Sequence, residues 1–227
     1  MRPCRDLRAV TVNVVDSRRE VVIFGASGHG KVIIDIVEKA GQYRVAFLVD
    51  DDPKYKGKQF FGYPVIGGRE SLLAAEQADK LPVIVAIGNN ETRMNVAAWL
   101  NDRGFASVSA IHPSAQLARG VSVGVGSVVM AAAVINSDTA IGNNVIINTG
   151  ATVDHDCRIG DGVHIAPGCH LCGGVSVGDC SLIGAGCVLI PGVCVGRHVV
   201  LGARSTVIHN IGDGAKAVGS PAKAVCP

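Results

Sequence analysis

Two hydrophobic periods divide the chain near Ala110. Beyond that point every sixth residue from Ile111 to Val207 is Val, Ile or Leu, seventeen positions without an exception. Two places before each lies a small or β-branched residue, among them Ser127, Ala133, Thr139, Ala151, Cys157, Cys169, Ser181 and Cys187. A repeat this short buries its apolar side only by stacking on its neighbours, and a six-residue period marks a parallel β-helix. The aliphatic row is predicted to point inward, with Gly, Asn and Asp turning the corners. After Val207 the frame fails, because Asp213 falls where the next aliphatic is due.

Before Ala110 the pattern alternates between strand and helix. Val21 to Phe24 reads as a short buried strand, Gly25 to Gly30 as a glycine turn, and Lys31 to Ala40 as a helix with Val32, Ile36 and Val37 on one face. A second strand, Val45 to Val49, runs into Asp50-Asp51-Asp52-Pro53. There follow a strand at Pro64 to Ile66, a helix from about Arg69 to Ala78, a strand from Val83 to Ile87, a helix from about Glu91 to Arg103, and a strand from Ser107 to Ile111. Such alternation predicts a small Rossmann-like parallel sheet covered by helices. The expected organisation is an N-terminal extension over 1–20, an α/β unit over 21–110, and a coil with a C-terminal tail over 111–227, handed over at His112-Pro113-Ser114.

Composition narrows the function classes. With a formal charge of +2, 4% aromatic residues and no lysine or arginine block, the chain lacks the basic stripe and stacking platforms of a nucleic-acid binder. No run of about eighteen apolar residues is present for a membrane span, and the arginine-bearing start lacks a signal-peptide core. A cytoplasmic enzyme is the expectation. Of the eight cysteines, Cys157, Cys169 and Cys187 fall on the small inward row, where a thiol serves as a compact hydrophobe. Cys169 and Cys172 have CxxC spacing, but no second pair accompanies them, so packing is favoured over zinc or redox chemistry.

Polar groups concentrate in Asn148-Thr149-Gly150-Ala151-Thr152-Val153-Asp154-His155-Asp156. His155 lies two places after an inward residue, hence at or near a corner and facing outward. An imidazole beside a carboxylate suits a general base at cellular pH, since a neighbouring anion raises its pKa. The alternative is a solvated corner histidine beside a solvated aspartate. The glycine turn, Gly25-Ala26-Ser27-Gly28-His29-Gly30, has the order Gly-x-x-Gly-x-Gly rather than the dinucleotide fingerprint, which weakens an NAD reading. Backbone amides at a helix N-terminus still favour a phosphate, and an acidic residue ending the second strand can bind ribose hydroxyls. A turn that only tightens strand-to-helix packing is the alternative there.

The glycine turn, the run Ala86-Ile87-Gly88-Asn89-Asn90-Glu91-Thr92-Arg93, the hinge Ile111-His112-Pro113-Ser114-Ala115 and the hexads carrying Asp154-His155-Asp156 together resemble the sugar O- and N-acetyltransferases of the hexapeptide-repeat acyltransferases. Their members include bacillosamine-pathway N-acetyltransferases and sialic acid O-acetyltransferases. The resemblance covers nearly everything after Glu20. It implies a left-handed triangular coil of eighteen residues per turn, here a little under six turns and roughly 27 Å tall. Stacking at that interval puts Gly173 directly above the His155 ring, leaving room for a slender substrate arm.

By the same resemblance His155 corresponds to the histidine that deprotonates the attacking amine or hydroxyl, and Asp156 to the acid that orients it, often a glutamate in the family. His164 matches a second histidine near the thioester carbonyl of acetyl-CoA. Gly173, Ala185, Ala203 and Lys223, the last within Gly219-Ser220-Pro221-Ala222-Lys223, match positions along the acetyl-CoA channel. Gly25, Ser27, Gly28, His29, Gly30, Asp50, Asp51, Asn89 and Asn148 match the nucleotide-sugar site. A thioester is already activated, so direct transfer is expected, without an acyl-cysteine intermediate. The preferred acceptor is a UDP-linked 4-amino sugar, with a sialic-acid type O-acetyltransferase as the alternative.

A mean hydropathy of +0.35 and extra apolar residues at Val128, Val134, Ile146, Val188 and Val200 point to covered faces. The family forms homotrimers with acetyl-CoA between neighbouring prisms, and the same is expected here. Two other classes share the coil. A γ-class carbonic anhydrase needs three converging histidines, whereas His164 and His170, six apart, belong to different faces. No metal is expected. A non-catalytic trimeric scaffold that binds nucleotide sugars is the other.

Overall fold

The structure, a computed structural model, describes residues 18–225. Of the expected N-terminal extension, residues 1–17 lie outside the described residues, while Arg19 and Glu20 open the first strand, β1 (Arg19–Phe24). β1 is flanked in parallel by β2 (Tyr43–Val49) and β5 (Val83–Val85), giving the order β2-β1-β5; between them a short hairpin joins β3 (Gln59–Phe60) to β4 (Tyr63–Pro64). Val21 to Phe24 are buried on both sides, as a parallel sheet between helices requires. Helix α1 (Gly28–Ala40) ends on Gly41 in the left-handed region, whose N–H donates to the Val37 carbonyl. Its buried stripe is Ile33, Ile34, Ile36 and Val37; Val32, expected on that face, is 38% exposed.

Three expected elements differ. The strand expected at Pro64 to Ile66 reduces to the end of β4 and a single bridge from Val65 to Leu48. Helix α2 (Arg69–Ala74) stops four residues early, where Ala75 turns extended. The strand expected over Ser107 to Ile111 is divided between the two halves of the chain. Ser107 bridges Val83 in the sheet, but Ala110 and Ile111 pair with Val128 and Val129 on the coil. The crossing is made where the Ser109 hydroxyl donates to the Gly124 carbonyl. Helix α3 (Asn90–Asn101) keeps close to its expected span.

From Ala110 onward the chain winds as a left-handed parallel β-helix of about six turns. Strands of two residues stack in register eighteen apart on three faces. The first face carries Gln116–Leu117, Val134–Ile135, Thr152–Val153, His170–Leu171, Val188–Leu189 and Thr206–Val207; the second begins at Ser122–Val123, and the third at Ala110–Ile111. The aliphatic row is buried from Val129 to Val207. Ile111 and Leu117, at the open lower end with no coil beneath them, are 36% and 37% exposed. Corner residues at 132, 138, 144, 156, 180, 198 and 204 adopt the left-handed conformation although none is glycine.

The small inward row does more than save space. Ser127, Thr139 and Ser181 each donate to a carbonyl fifteen residues on and accept the N–H eighteen residues on, stitching each coil to the next. Cys157, Cys169 and Cys187, expected as compact hydrophobes, also donate, to the carbonyls of Cys172, Gly184 and Gly202. Nor does the coil stop at Val207. It shortens by two residues, so that Ile211 bridges Val195 and Ala217 pairs with Leu201. The tail then folds back, with Lys223–Ala224 antiparallel to Lys216–Val218.

The α/β unit sits on the third face. Val128, Met130 and Ile146 share one core with Val21, Ile33 and Ile36. Two of the apolar residues expected at a subunit contact, Val128 and Ile146, are therefore covered by the chain's own N-terminal unit, with exposures of 1% and 0%. Val188 and Val200 stay exposed and Val134 half-buried. Among the described residues no helix is long and apolar enough to cross a membrane.

Candidate active site

Thr152–Val153 delivers the chain to the corner between the first and second faces, where His155 and Asp156 form the turn. Asp156 has φ +58, a conformation that a short polar side chain tolerates. From there its Oδ2 lies 2.8 Å from His155 Nδ1. Nδ1–H thus donates to the carboxylate, and Nε2 is left as the basic nitrogen. Asp154 completes the arrangement, its Oδ1 accepting from the His155 backbone N–H at 2.9 Å and from Asn136 Nδ2 at 2.9 Å. The Asp156 hydrogen bond, followed by the Asp154 charge, raises the His155 pKa. The ring is exposed. One coil up, a Cβ at Gly173 would stand 2.6 Å from Cε1 and 2.7 Å from Nε2.

His164 projects from the third face, on the opposite side of the prism from that corner, since in a triangle each corner faces the remaining side. Its Nε2 lies 3.0 Å from Asn148 Nδ2, and the Gly88 carbonyl lies against the ring. Burial, then the charge of Arg93, pushes its pKa down to about 4. His29 is turned the same way. Its ring leaves the glycine turn for the seam between the two units, and its Nε2 is buried with no hydrogen-bond partner. Burial first, then His164 and Arg93, lowers its pKa to about 4. Both imidazoles are neutral at cellular pH.

From the glycine turn Gly25 and Ser27 line a cleft of about 240 Å³, together with Asp50, Asp51, Gly88 and Thr92. It opens at the carboxyl ends of β1 and β5, where ligands bind in open α/β sheets. Gly25, at φ +126, and Gly30 are there for close packing: a Cβ on Gly25 would meet the Ala86 carbonyl oxygen at 2.6 Å, and one on Gly30 would strike the Gly25 carbonyl. Gly28 meets nothing within 4 Å. Ser27, in the cleft lining, begins α1 without a side-chain capping bond, which leaves the first helical amides uncapped by it. Asp50 holds the turn, its two oxygens accepting from the N–H groups of Ala26 at 2.6 Å and Asp52 at 2.8 Å. Asp51 accepts from Arg69 N at 3.0 Å and pairs with Arg69 Nε at 3.1 Å. Asn89 caps α3 by accepting from Thr92 N at 2.9 Å.

The site residues expected from the sequence thus fall into three groups. His155, Asp156 and Gly173 meet at one corner. Gly25, Ser27, Asp50 and Asp51 line the cleft, with Gly28, Gly30 and Asn89 near it in the chain but outside its lining, and His29, Asn148 and His164 meet in the seam beside it. Ala185 and Ala203 are exposed on the corner between the third and first faces, stacked one coil apart, and Lys223 lies exposed in the terminal hairpin. Sequence reasoning missed Arg93, which is 1% exposed. The signal was present: Arg93 shares the helical stripe of Val96, Ala97 and Leu100.

A family model described as the PglD N-terminal domain matches residues 20–100, and the bacterial transferase hexapeptide model matches 138–173 and 156–190. PerB from Caulobacter crescentus, solved with CoA and GDP-perosamine, is 42% identical with a TM-score of 0.86, covering 91% of this chain and 97% of that one. This chain belongs to the hexapeptide-repeat sugar N-acetyltransferases. The acetyltransferase domain of PglB from Neisseria gonorrhoeae FA1090 is 36% identical with a TM-score of 0.85, over 92% of this chain and 100% of that domain. UDP-N-acetylbacillosamine N-acetyltransferase of Bacillus subtilis (strain 168) is 37% identical over 117 residues. That match spans 50% of this chain and about half, 52%, of the curated relative.

Proposed function

We propose that this chain transfers the acetyl group of acetyl-CoA directly to the amine of a nucleotide-linked 4-amino sugar, with His155 as general base. The amine lone pair forms a bond to the thioester carbonyl carbon, and His155 Nε2 takes the proton that the amine loses. As the carbon–sulfur bond breaks, the imidazolium returns that proton to the departing thiolate, giving an amide and free CoA. Asp156 fixes the tautomer and stabilises the imidazolium. His164 and the Gly173 backbone line the donor's path, with Ala185, Ala203 and Lys223 along the pantetheine and phosphate arm, and Asn148 belongs to the acceptor side. Glycine-turn amides hold the diphosphate, and Asp50 and Asp51 the nucleoside. The solved relatives' named amino-sugar chemistry favours an amine over a hydroxyl acceptor.

The observation that carries this reading is the placement of two half-sites on opposite sides of one prism. His155 stands at the corner opposite the face that bears the cleft, so neither half can complete the other within one protomer. A cyclic homotrimer brings the corner of one prism to the cleft of the next, and the exposed Val188 and Val200 suit that contact. A cytoplasmic setting, where both substrates are made, agrees with it. The test is release of free thiol from acetyl-CoA with a panel of UDP- and GDP-linked 4-amino sugars. Turnover with at least one is expected; turnover with sialic acid alone, or with none, refutes it.

A further inference from the structure

Arg93 is a cation buried to 1% exposure, and all five of its hydrogen bonds go to oxygens of neutral groups. Nε donates to the Asn144 carbonyl at 2.8 Å, Nη1 to the carbonyls of Ile87 at 3.0 Å and Gly88 at 3.1 Å, and Nη2 to Asn90 Oδ1 at 2.9 Å and the Gly162 carbonyl at 2.8 Å. Among the described residues no carboxylate forms an ion pair with it. A buried charge without an anion is an expensive way to fill space, and an apolar side chain of that size would pack more cheaply. What the guanidinium offers instead is a rigid planar fork.

That fork spans the junction. Ile87 and Gly88 form the wall of the cleft, while Asn144 and Gly162 lie on the coil, Gly162 two residues before His164. The Gly88 carbonyl also lies against His164. Higher on the same seam, Asn90 Nδ2 donates to the carbonyls of Cys180 at 3.0 Å and Ser181 at 3.1 Å. Arg93 thus ties the cleft wall directly to the coil beside His164, with Asn90 as a second tie along the seam.

We propose that Arg93 is a positioning residue for acetyl transfer: it sets where the nucleotide-sugar cleft stands relative to the third face of the coil, and so where the amine meets the donor. The inference rests on the reading under Proposed function. Misplacement of reacting groups by about 1 Å is enough to lose about 10²-fold in rate. The fork touches the cleft only through the Ile87 and Gly88 wall, whereas Asp50 holds the glycine turn through Ala26 and Asp52, so affinity for a nucleoside diphosphate alone should change far less than kcat.

The experiment compares the wild-type chain with Arg93→Met, Arg93→Lys and Leu100→Ala, the last a buried change on the same helix that leaves the seam intact. All are assayed well below their Tm for kcat, for KM of both substrates, and for Kd of UDP and GDP alone. In Arg93→Met, kcat is expected to fall at least about 30-fold while Kd for the preferred diphosphate stays within about threefold. Arg93→Lys should recover part of kcat, because an ammonium keeps the charge with fewer donors. Leu100→Ala should lower Tm but keep kcat per folded chain. Folded Arg93 variants with wild-type kcat, a Kd that rises as far as kcat falls, or losses that only follow the unfolded fraction would each overturn the proposal. Should Arg93→Met fail to fold, Arg93→Lys alone decides between the same outcomes. A wild-type chain inactive on every amino sugar instead sinks the functional reading itself.

Discussion

Replacing Gly173 by alanine isolates the geometry of the base from the stability of the coil. The added Cβ would stand 2.6 Å from His155 Cε1 and 2.7 Å from Nε2, whereas ordinary contact begins near 3.4 Å. Gly173 does not lie in the left-handed region, so alanine brings no backbone strain and the whole effect falls on the ring. The ring is free to swing into solvent by somewhat under about 1 Å, which loosens the 2.8 Å bond to Asp156 and costs about 10²-fold in kcat. Tm should hold, as for other surface changes. Steady-state kinetics at saturating substrates, with a thermal melt, measure both. NMR titration should show the His155 pKa moving down toward its ordinary value as the Asp156 bond weakens. Gly174→Ala is the contrast: at φ +69, with its nearest neighbour atom 3.9 Å from an added Cβ, it should lose about 1–2 kcal/mol of stability and keep kcat. Wild-type kcat in a folded Gly173→Ala chain would refute the proposed role of Nε2 beneath Gly173 as the working base.

Asp156→Asn removes the main cause of the raised His155 pKa. With the neutral imidazole as the proposed base, the ascending limb of the pH–kcat/KM profile should move to lower pH, with a lower plateau from a weaker and less well held base; an unmoved limb excludes Asp156 as its cause. A half-site shared between protomers predicts complementation. Ser27→Glu, which places a like charge at the phosphate seat, and His155→Ala should each be inactive alone, yet trimers reassembled from an equal mixture should regain about one quarter of wild-type activity. Mixtures that stay inactive place both halves in one chain. Ser181→Ala should cost about 1–3 kcal/mol, because the Gly196 carbonyl and the Val199 N–H lose their shared partner inside the coil, whereas Ser181→Cys should be much milder; equal melting curves for the two would remove the stitching role.

The sequence by itself determined the coil, its register and its interior. A period of six fixes the inward row, since stacking is the only way such short strands bury it, and the eighteen-residue turn that the family resemblance implies then gives each residue's neighbour by counting. That is how Gly173 could be placed over His155 before any coordinates. The sheet before it was legible for the same reason, since Val21 to Phe24 and the stripe of α1 leave little choice of partner. What counting does not carry is the relation between the two units. Nothing local to Val128 or Ile146 says that the chain's own sheet covers them, and nothing local to Ser107 to Ile111 says that the segment divides. Nor does the glycine turn reveal that His29 faces inward to the coil. The place of Arg93 in the apolar stripe of α3 was readable, but its partners across the seam were not. These contacts join residues 51 to 91 positions apart, and only the packing of one finished unit on another selects them. The same packing puts His155 and the cleft on opposite sides of the prism, because a triangular cross-section gives every corner a face that it cannot reach.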